Sequence, residues 1–339
     1  MQHSNDSVLL AHGGGGRLSG ELLRRCILPH IENETLAKLG DSARLDLDCR
    51  CVFFTTDSYV VKPLFFSGGD IGKLAICGTI NDLAVAGARP VALSLALIIE
   101  EGLPIEQLER VLASVGETAR KAGVAVVTGD TKTVEAGAAD QMFINTAGIG
   151  VRLDGVELGL DRVSPGDKII VSGTIGDHGM TIMSLRKEIR FKSELRSDCA
   201  ALSGLTARLL TESNGVRFMR DPTRGGLAAT LNEIAAGSGC GIVVREADIP
   251  IDPTVQAAAD ALGFDVMDIA NEGKLVAVVA PGEAANCLGI CRRDPLGARA
   301  AIVGEVGQRH TAPLAEIITK VGGRRIVQMP YGRELPRIC

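Results

Sequence analysis

The first half of the chain alternates apolar stretches of strand type with longer stretches of helix type. RCVFFTTDS predicts a strand over Cys51–Phe54, and GVAVVTGDTK predicts another over Val124–Val127. Between them, GGDIGKLAICGTINDLAVAGARP predicts a helix that begins at Asp70 and ends near Gly87, followed by the strand VALSLALII. Such alternation requires helices packed on sheets, and it predicts the α+β (mixed α/β) class.

A further helix is predicted over LPIEQLERVLASVGETARKAG. Its apolar residues Leu108, Val111, Leu112 and Val115 recur at helical spacing and fall on one face. The helix is therefore predicted to be amphipathic.

The pattern changes at VRLDGVELGLDRVSPGDK, where a Pro-Gly-Asp turn signal precedes the strand KIIVSG. We expect a domain boundary near residue 155. The second half predicts strands at IVVRE, KLVAVVA and AAIVGEV, and helices over Gly225–Ala236 and Pro313–Val321. The predicted units are a glycine-rich segment over 1–40, an N-terminal domain over 41–155, a C-terminal domain over 156–321 and a mobile tail over 322–339.

Charge and length restrict the class of protein. The 339 residues are 46% hydrophobic, which is enough for two domains with separate cores. A net charge of -5 without a basic block disfavours nucleic acid as a partner. No apolar run reaches the ~20 residues needed to cross a bilayer, and no targeting leader is recognisable. We expect a cytoplasmic protein.

Nine cysteines raise the question of disulfides or zinc. Cys49 and Cys51 are close in sequence, as are Cys287 and Cys291, but no C-x-x-C pair occurs, which disfavours a structural zinc site. Cys339 is different because it is the last residue and has no loop to close behind it. It is the candidate for chemistry, with an incidental surface thiol as the competing interpretation.

The stretch AHGGGGRLSG, which includes Gly14 and Gly15, suggests a phosphate-binding loop. Neither the Walker A nor the dinucleotide-binding signature fits it, because Arg17 and Leu18 occupy key positions. A merely flexible segment remains the alternative.

Aspartates near the ends of predicted elements form a second signal: Asp57, Asp70, Asp82, Asp130 and Asp221. Helix capping would explain Asp70 and Asp221, and turn formation would explain Asp57 and Asp130. Asp82 resists such an explanation, because a carboxylate on an apolar helix face is costly unless a cation or several donors compensate it. Together with the glycines, the set predicts a magnesium–triphosphate site.

Five motifs in order carry a family resemblance: HGGGGR, TTDS followed by VVKP, GDIGKLAICGTINDLAVAGARP, TGDTK and RDPTRGGLA. They resemble the ATP-binding superfamily of aminoimidazole ribonucleotide synthetase, selenophosphate synthetase and thiamine-monophosphate kinase over nearly the whole chain. Within it, ANEGK and the ending PRIC resemble the HypE family of hydrogenase maturation factors. A selenophosphate synthetase would carry a reactive cysteine or selenocysteine near the glycine-rich loop, where this chain has His12.

The resemblance implies a two-domain fold like that of aminoimidazole ribonucleotide synthetase, with each sheet packed by helices, and a homodimer joined through the N-terminal domains. It implies that magnesium is held by Asp57, Asp82, Asp130 and Asp221. It implies that ATP contacts Gly14, Gly15, Lys62, Asp70, Thr131, Thr223 and Arg224.

The resemblance also implies a reaction on the chain itself. The carbamoyltransferase HypF would load a carbamoyl group onto Cys339, ATP would drive its dehydration to a thiocyanate, and the HypC–HypD complex would accept the cyano group. Lys132 and Glu272 are the candidates for proton transfer. The alternative roles are a phosphate contact for Lys132 and a solvated turn residue for Glu272.

Two other functions remain open at this point. The chain could be a synthetase or kinase of the same superfamily that acts on a free small molecule, or a nucleotide-gated scaffold with a docking tail. Prenylation of the tail is disfavoured, because Pro-Arg-Ile-Cys lacks a cysteine four residues from its end.

Overall fold

Two β-sheets, one in each half of the chain, organise the fold. The computed structural model describes residues 7–13, 21–36, 47, 51–187, 194–330 and 338–339. Gly14, Gly15 and Cys49 lie outside the described residues.

The N-terminal sheet has four strands in the order β1-β6-β4-β5, with β4 and β5 parallel and the other pairs antiparallel. Helix α2 packs against this sheet and against α3. The elements of this half are α1 (Leu28–Ile31), β1 (Val52–Tyr59), β2 (Phe65–Phe66), β3 (Gly69–Asp70), α2 (Ile71–Val85), β4 (Ala88–Glu100), α3 (Ile105–Ala122), β5 (Ala125–Val134) and β6 (Met142–Arg152).

The predicted apolar face of α3 is confirmed. Leu108, Val111, Leu112 and Val115 are fully buried in the N-terminal core. At ~1.5–3 kcal/mol per buried aliphatic side chain, this face contributes substantially to the stability of the N-terminal half.

The C-terminal sheet has seven strands in the order β13-β12-β9-β11-β7-β10-β8, and its pairs are antiparallel except for β9 and β12. The elements of this half are β7 (Lys168–Val171), α4 (Asp177–Arg186), α5 (Ser203–Glu212), β8 (Val216–Arg220), α6 (Gly226–Ser238), β9 (Cys240–Arg245), α7 (Pro253–Leu262), β10 (Val276–Val279), α8 (Ala284–Arg293), β11 (Ala301–Arg309), β12 (Ala315–Ile318) and β13 (Arg324–Ile326).

The predicted helix over Pro313–Val321 is wrong, because β12 occupies this stretch. Ala315 and Ile317 are fully buried while Glu316 and Ile318 are less so, an alternation of period two that fits a strand. Pairing with β9 on one side and β13 on the other overrides the local helical signal.

Hydrogen bonds of a buried side chain connect the two halves of the chain. Asn81 of α2 donates from Nδ2 to the carbonyl of Ala200, 3.1 Å away, and its Oδ1 accepts the backbone N–H of Leu202 at 2.8 Å. Satisfied buried amides of this kind fix the relative position of the elements they connect.

None of the cysteines in the described part of the chain forms a disulfide. Cys287 and Cys291 lie buried on α8, where Cys287 contacts the hydroxyl of Ser213 at 3.1 Å. Among the described residues, no helix combines the length and the apolarity that crossing a bilayer requires.

Candidate functional site

A cavity of about 890 Å³ is lined by residues of both halves. Strand β1 and helix α2 supply Asp57 and Asp82, and the segment after β8 supplies Asp221. The wall also contains Thr223, Arg224, Glu272, Ile338 and Cys339. Seven of the residues that the sequence singled out therefore share one cavity: Asp57, Asp82, Asp221, Thr223, Arg224, Glu272 and Cys339.

Three carboxylates, those of Asp57, Asp82 and Asp221, line this cavity. Asp57 lies within β1 rather than after it, because the strand continues to Tyr59. Asp82 accepts the hydroxyl of Thr55, with Oγ1 and Oδ2 2.8 Å apart. Burial raises the pKa of Asp82, and burial together with the charge of Asp82 raises the pKa of Asp221 to about 7.

Asp221 is not the helix cap that its sequence position suggested. Helix α6 begins at Gly226, and the residue before it, Gly225, occupies the N-cap position. Gly225 and Gly226 have φ of 79° and 59°, and a Cβ at Gly226 would meet the carbonyl oxygen of Met267 at 2.5 Å. The glycine pair therefore lets the chain turn sharply after Thr223 and Arg224 and places them before the N-terminus of α6.

Glu272 is buried, with 3% of its surface exposed, so the solvated-turn interpretation is wrong. Burial and then the negative charge of Asp198 raise its pKa well above the ordinary glutamate range. Its Oε1 has no hydrogen-bond partner among the described residues. An unpaired carboxyl oxygen on the wall of a cavity is free to act on a group that enters it.

The loop of Glu272 is held by a buried ion pair that sequence reasoning missed. Asp198 accepts the backbone N–H groups of Glu272 and Gly273 and lies 3.2 Å from Nζ of Lys274. Although burial opposes it, the charge of Lys274 lowers the pKa of Asp198. The only sequence signal was that Lys274 completes the ANEGK motif; nothing around Asp198 marked it.

The last two residues, Ile338 and Cys339, are held at the cavity wall. The backbone N–H of Val60 donates to Cys339 O at 3.2 Å, and the side chain of Ile338 is buried in the N-terminal core. Burial and the charge of Glu272 raise the pKa of the Cys339 thiol to about 12, although Arg224 acts in the opposite direction. The seated sulfur is therefore a neutral thiol.

Other predicted site residues lie elsewhere. Asp130 and Lys132 are exposed within β5 and form an ion pair of 2.9 Å, with Thr131 between them. Lys62 pairs with Asp140 at 2.9 Å. Strands β1 and β5 are opposite edges of the sheet, so one chain does not bring Asp57 and Asp130 together.

Asp70 fulfils the structural role that its position suggested. Its carboxylate caps α2 by accepting the backbone N–H groups of Gly72 and Lys73, at 2.7 and 3.0 Å. This capping leaves its predicted contact with ATP as a prediction.

The cavity carboxylates fit a magnesium ion in donor type. They are oxygen ligands. Burial and the charge of Asp57 raise the pKa of Asp82, and burial and the charge of Asp82 raise that of Asp221, so a cation would relieve the repulsion between these carboxylates. No three such side chains among the described residues form a ready-made metal cluster. This suits an ion that takes only some of its ligands from the protein and completes its shell with phosphate oxygens and water.

Comparison with known proteins gives a consistent result over the whole chain. Residues 39–152 match the N-terminal domain, and residues 164–313 the C-terminal domain, of the AIR synthase related proteins. The carbamoyl dehydratase HypE of Rhizobium leguminosarum bv. viciae is 48% identical over 99% of this chain and 96% of the relative.

Two solved structures give the same picture. A hydrogenase maturation protein HypE in complex with ATP superposes with a TM-score of 0.94 at 45% identity, covering 98% of this chain and 99% of that one. A chain from a HypE–HypF complex gives a TM-score of 0.80 at 44% identity, covering 93% of this chain and 100% of that one.

Proposed function

Because the chain belongs to the HypE family of carbamoyl dehydratases, we propose that it dehydrates a carbamoyl group carried on its own Cys339 to a thiocyanate, at the expense of ATP. The observation that carries this proposal is the placement of Cys339 in the same cavity as Glu272 and the carboxylates Asp57, Asp82 and Asp221. The product would supply the cyanide ligands of nickel–iron hydrogenase.

The chemistry explains why ATP is needed. Dehydration of a primary amide must expel its oxygen, which is a poor leaving group. Transfer of the γ-phosphoryl group of ATP to the carbonyl oxygen makes that oxygen leave as phosphate. Loss of both N–H protons and departure of phosphate then leave a C≡N group on sulfur, with ADP as the other product.

Glu272 is suited to take a proton from the amide nitrogen. Its carboxyl group faces the cavity that holds the sulfur, has an unpaired oxygen, and has a raised pKa that makes its ionised form a stronger base. Asp198 keeps the loop of Glu272 in place, because it accepts the backbone N–H of Glu272 and pairs with Lys274.

Thr223 and Arg224 are suited to contact the phosphates of ATP. They precede the N-terminus of α6, where the helix dipole favours an anion, and Arg224 adds a positive charge. Asp57, Asp82 and Asp221 would hold Mg²⁺, which would neutralise the transferring phosphoryl group. Gly14, Gly15, Lys62 and Asp70 are further contacts in the proposal.

The proposed homodimer accounts for the residues on β5. Asp130, Thr131 and Lys132 are exposed on one edge of the N-terminal sheet, whereas Asp57 lies on the other edge. A second copy joined through this domain would bring its β5 residues to the first copy's cavity. Lys132 would then act on the partner's tail.

The tail must leave the cavity to be loaded and return for dehydration. We propose HypF as the carbamoyl donor, in line with the HypE–HypF complex among the matched structures, and HypC–HypD as the cyano acceptor. All of these steps would take place in the cytoplasm.

Mass spectrometry of the C-terminal peptide tests the proposal. The chain is loaded with a carbamoyl group by the carbamoyl-donating partner HypF, freed of nucleotide, and then given Mg²⁺ with either ATP or a non-hydrolysable analogue. We expect Cys339 to gain a carbamoyl group during loading. The carbamoylated peptide should then lose one water with Mg²⁺ and ATP but not with Mg²⁺ and the analogue. Equal loss of water with the analogue, or turnover of a free substrate by Cys339→Ser, would reject the mechanism.

A further inference from the structure

His178 lies fully buried in the first turn of α4, and both of its ring nitrogens have partners. Nε2 contacts the backbone carbonyl oxygen of Ile338, and Nδ1 lies 2.8 Å from Oγ of Ser197. The residue before Cys339 is thus bonded to a side chain of the C-terminal half.

The partners fix the direction of each hydrogen bond. The carbonyl of Ile338 can only accept, so Nε2 of His178 carries the proton and donates it. In the neutral ring Nδ1 then accepts from the hydroxyl of Ser197. Ser197 Oγ in turn accepts the backbone N–H of Cys199 at 3.1 Å. In the three hydrogen bonds that connect Cys199 to Ile338, each donor therefore faces an acceptor, and no two protons point at each other.

The ring is also held sterically. The ring of Phe66 lies edge-to-face on it, with the centroids 5.4 Å apart and an interplanar angle of 81°. Because Phe66 belongs to the N-terminal half, both halves of the chain contribute to the orientation of His178.

The described end of the tail also has contacts of a different kind. Val60 binds Cys339 through its backbone N–H, and the side chain of Ile338 is buried among apolar residues. Neither contact selects the orientation of the Ile338 peptide. The hydrogen bond from His178 does, since it needs the carbonyl to point toward α4.

We propose that His178 is a positioning residue that latches the tail in the cavity through the carbonyl of Ile338. The inference rests on the proposed function, in which the tail alternates between a loading partner and the cavity. A single hydrogen bond between neutral groups is strong enough to fix the peptide and weak enough to be broken in each cycle. His178 does not touch the reacting atoms; it acts by placing the sulfur.

Alkylation of Cys339 tests the latch. The full chain is treated with iodoacetamide without nucleotide or partner, and modification of the C-terminal peptide is followed by mass spectrometry. His178→Leu fills the space but removes the donor, whereas His178→Gln keeps an N–H close to the position of Nε2. We expect His178→Leu to increase the alkylation rate of Cys339 roughly two- to tenfold, and we expect His178→Gln to leave that rate near the wild-type value.

The buried Cys291 on α8 serves as a folding reference, because its alkylation should stay slow in every folded variant. If His178→Leu does not fold, Ser197→Ala replaces it, with a smaller acceleration expected. A folded His178→Leu variant in which Cys339 is alkylated at the wild-type rate would overturn the proposal. A His178→Gln variant in which Cys339 is alkylated as fast as in His178→Leu would also overturn it. Since no dehydration is measured, failure of the latch and failure of the proposed function give different results.

Discussion

The carboxylate of Asp198 accepts the backbone N–H of Glu272, with Oδ1 3.2 Å from the nitrogen. The same side chain is 2% exposed and lies 3.2 Å from Nζ of Lys274. Asp198 therefore positions Glu272 without touching the cavity itself, and its charge contributes to the raised pKa of Glu272.

Replacing Asp198 by Asn should lower the free energy of unfolding by about 3 kcal/mol, because the buried ammonium of Lys274 loses the nearer of its two carboxylate partners and keeps only Asp177, 3.5 Å away. Urea denaturation of the purified chain measures this. Glu117→Gln, which breaks the exposed pair with Lys121, is the control and should leave the midpoint unchanged. Equal effects of the two substitutions would show that the Asp198–Lys274 pair has no structural importance.

Replacing Glu272 by Gln should slow dehydration of the loaded tail by roughly 100- to 10,000-fold while ATP binding is retained, because the amide keeps the shape of the side chain but takes up no proton. Single-turnover mass spectrometry and a nucleotide titration give the two quantities. Glu305→Gln, at a half-buried glutamate of β11 that pairs with Lys168 away from the cavity, is the matched control. A Gln variant with the wild-type rate would remove Glu272 from proton transfer.

Lys132→Ala and Cys339→Ser should each be inactive alone, yet recover activity when mixed under conditions that allow subunit exchange. In a mixed dimer, one site combines the intact Cys339 of one chain with the intact Lys132 of the other. Quantification of thiocyanate on the C-terminal peptide measures the recovery. If Lys132 acted on the tail of its own chain, the mixture would stay as inactive as its components.

Docking of the tail should weaken in alkaline solution. Burial raises the pKa of the Cys339 thiol to about 12, above the ordinary value of 9.0, so the seated state favours the protonated form. The stabilisation is fully present below pH 9 and is lost as the pH rises toward 12. Limited proteolysis of the tail between pH 7 and 10.5, with Cys339→Ser as a control that should show no such dependence, measures it.

Local patterns in the sequence predicted much of the fold. The period of the apolar residues located α3 and its buried face, and the cap at Asp70 located the start of α2. The same reasoning failed at β12, where the deciding factor is pairing with β9, a strand distant in sequence. The sequence also does not show that β1 and β5 continue beyond their apolar residues. Asp57 and Asp130, predicted to follow these strands, lie within them.

The sequence predicted a site residue where the residue type was unusual for its position or where the residue belonged to a motif. Asp82 was conspicuous on an apolar helix, and Cys339 was conspicuous at the end of the chain. Asp198 and His178 gave no such signal, because their roles arise from contacts with Lys274 and Ile338 that only the folded chain creates.

The unpaired Oε1 of Glu272 has a consequence for the evolution and engineering of the chain. A buried acceptor without a donor reduces conformational stability by about 1–3 kcal/mol. The chain has this cost whether or not a carbamoyl group is present on Cys339. A laboratory selection for heat resistance alone would therefore tend to replace Glu272 by an apolar residue. Thermostable variants obtained in that way would be well folded and chemically inert.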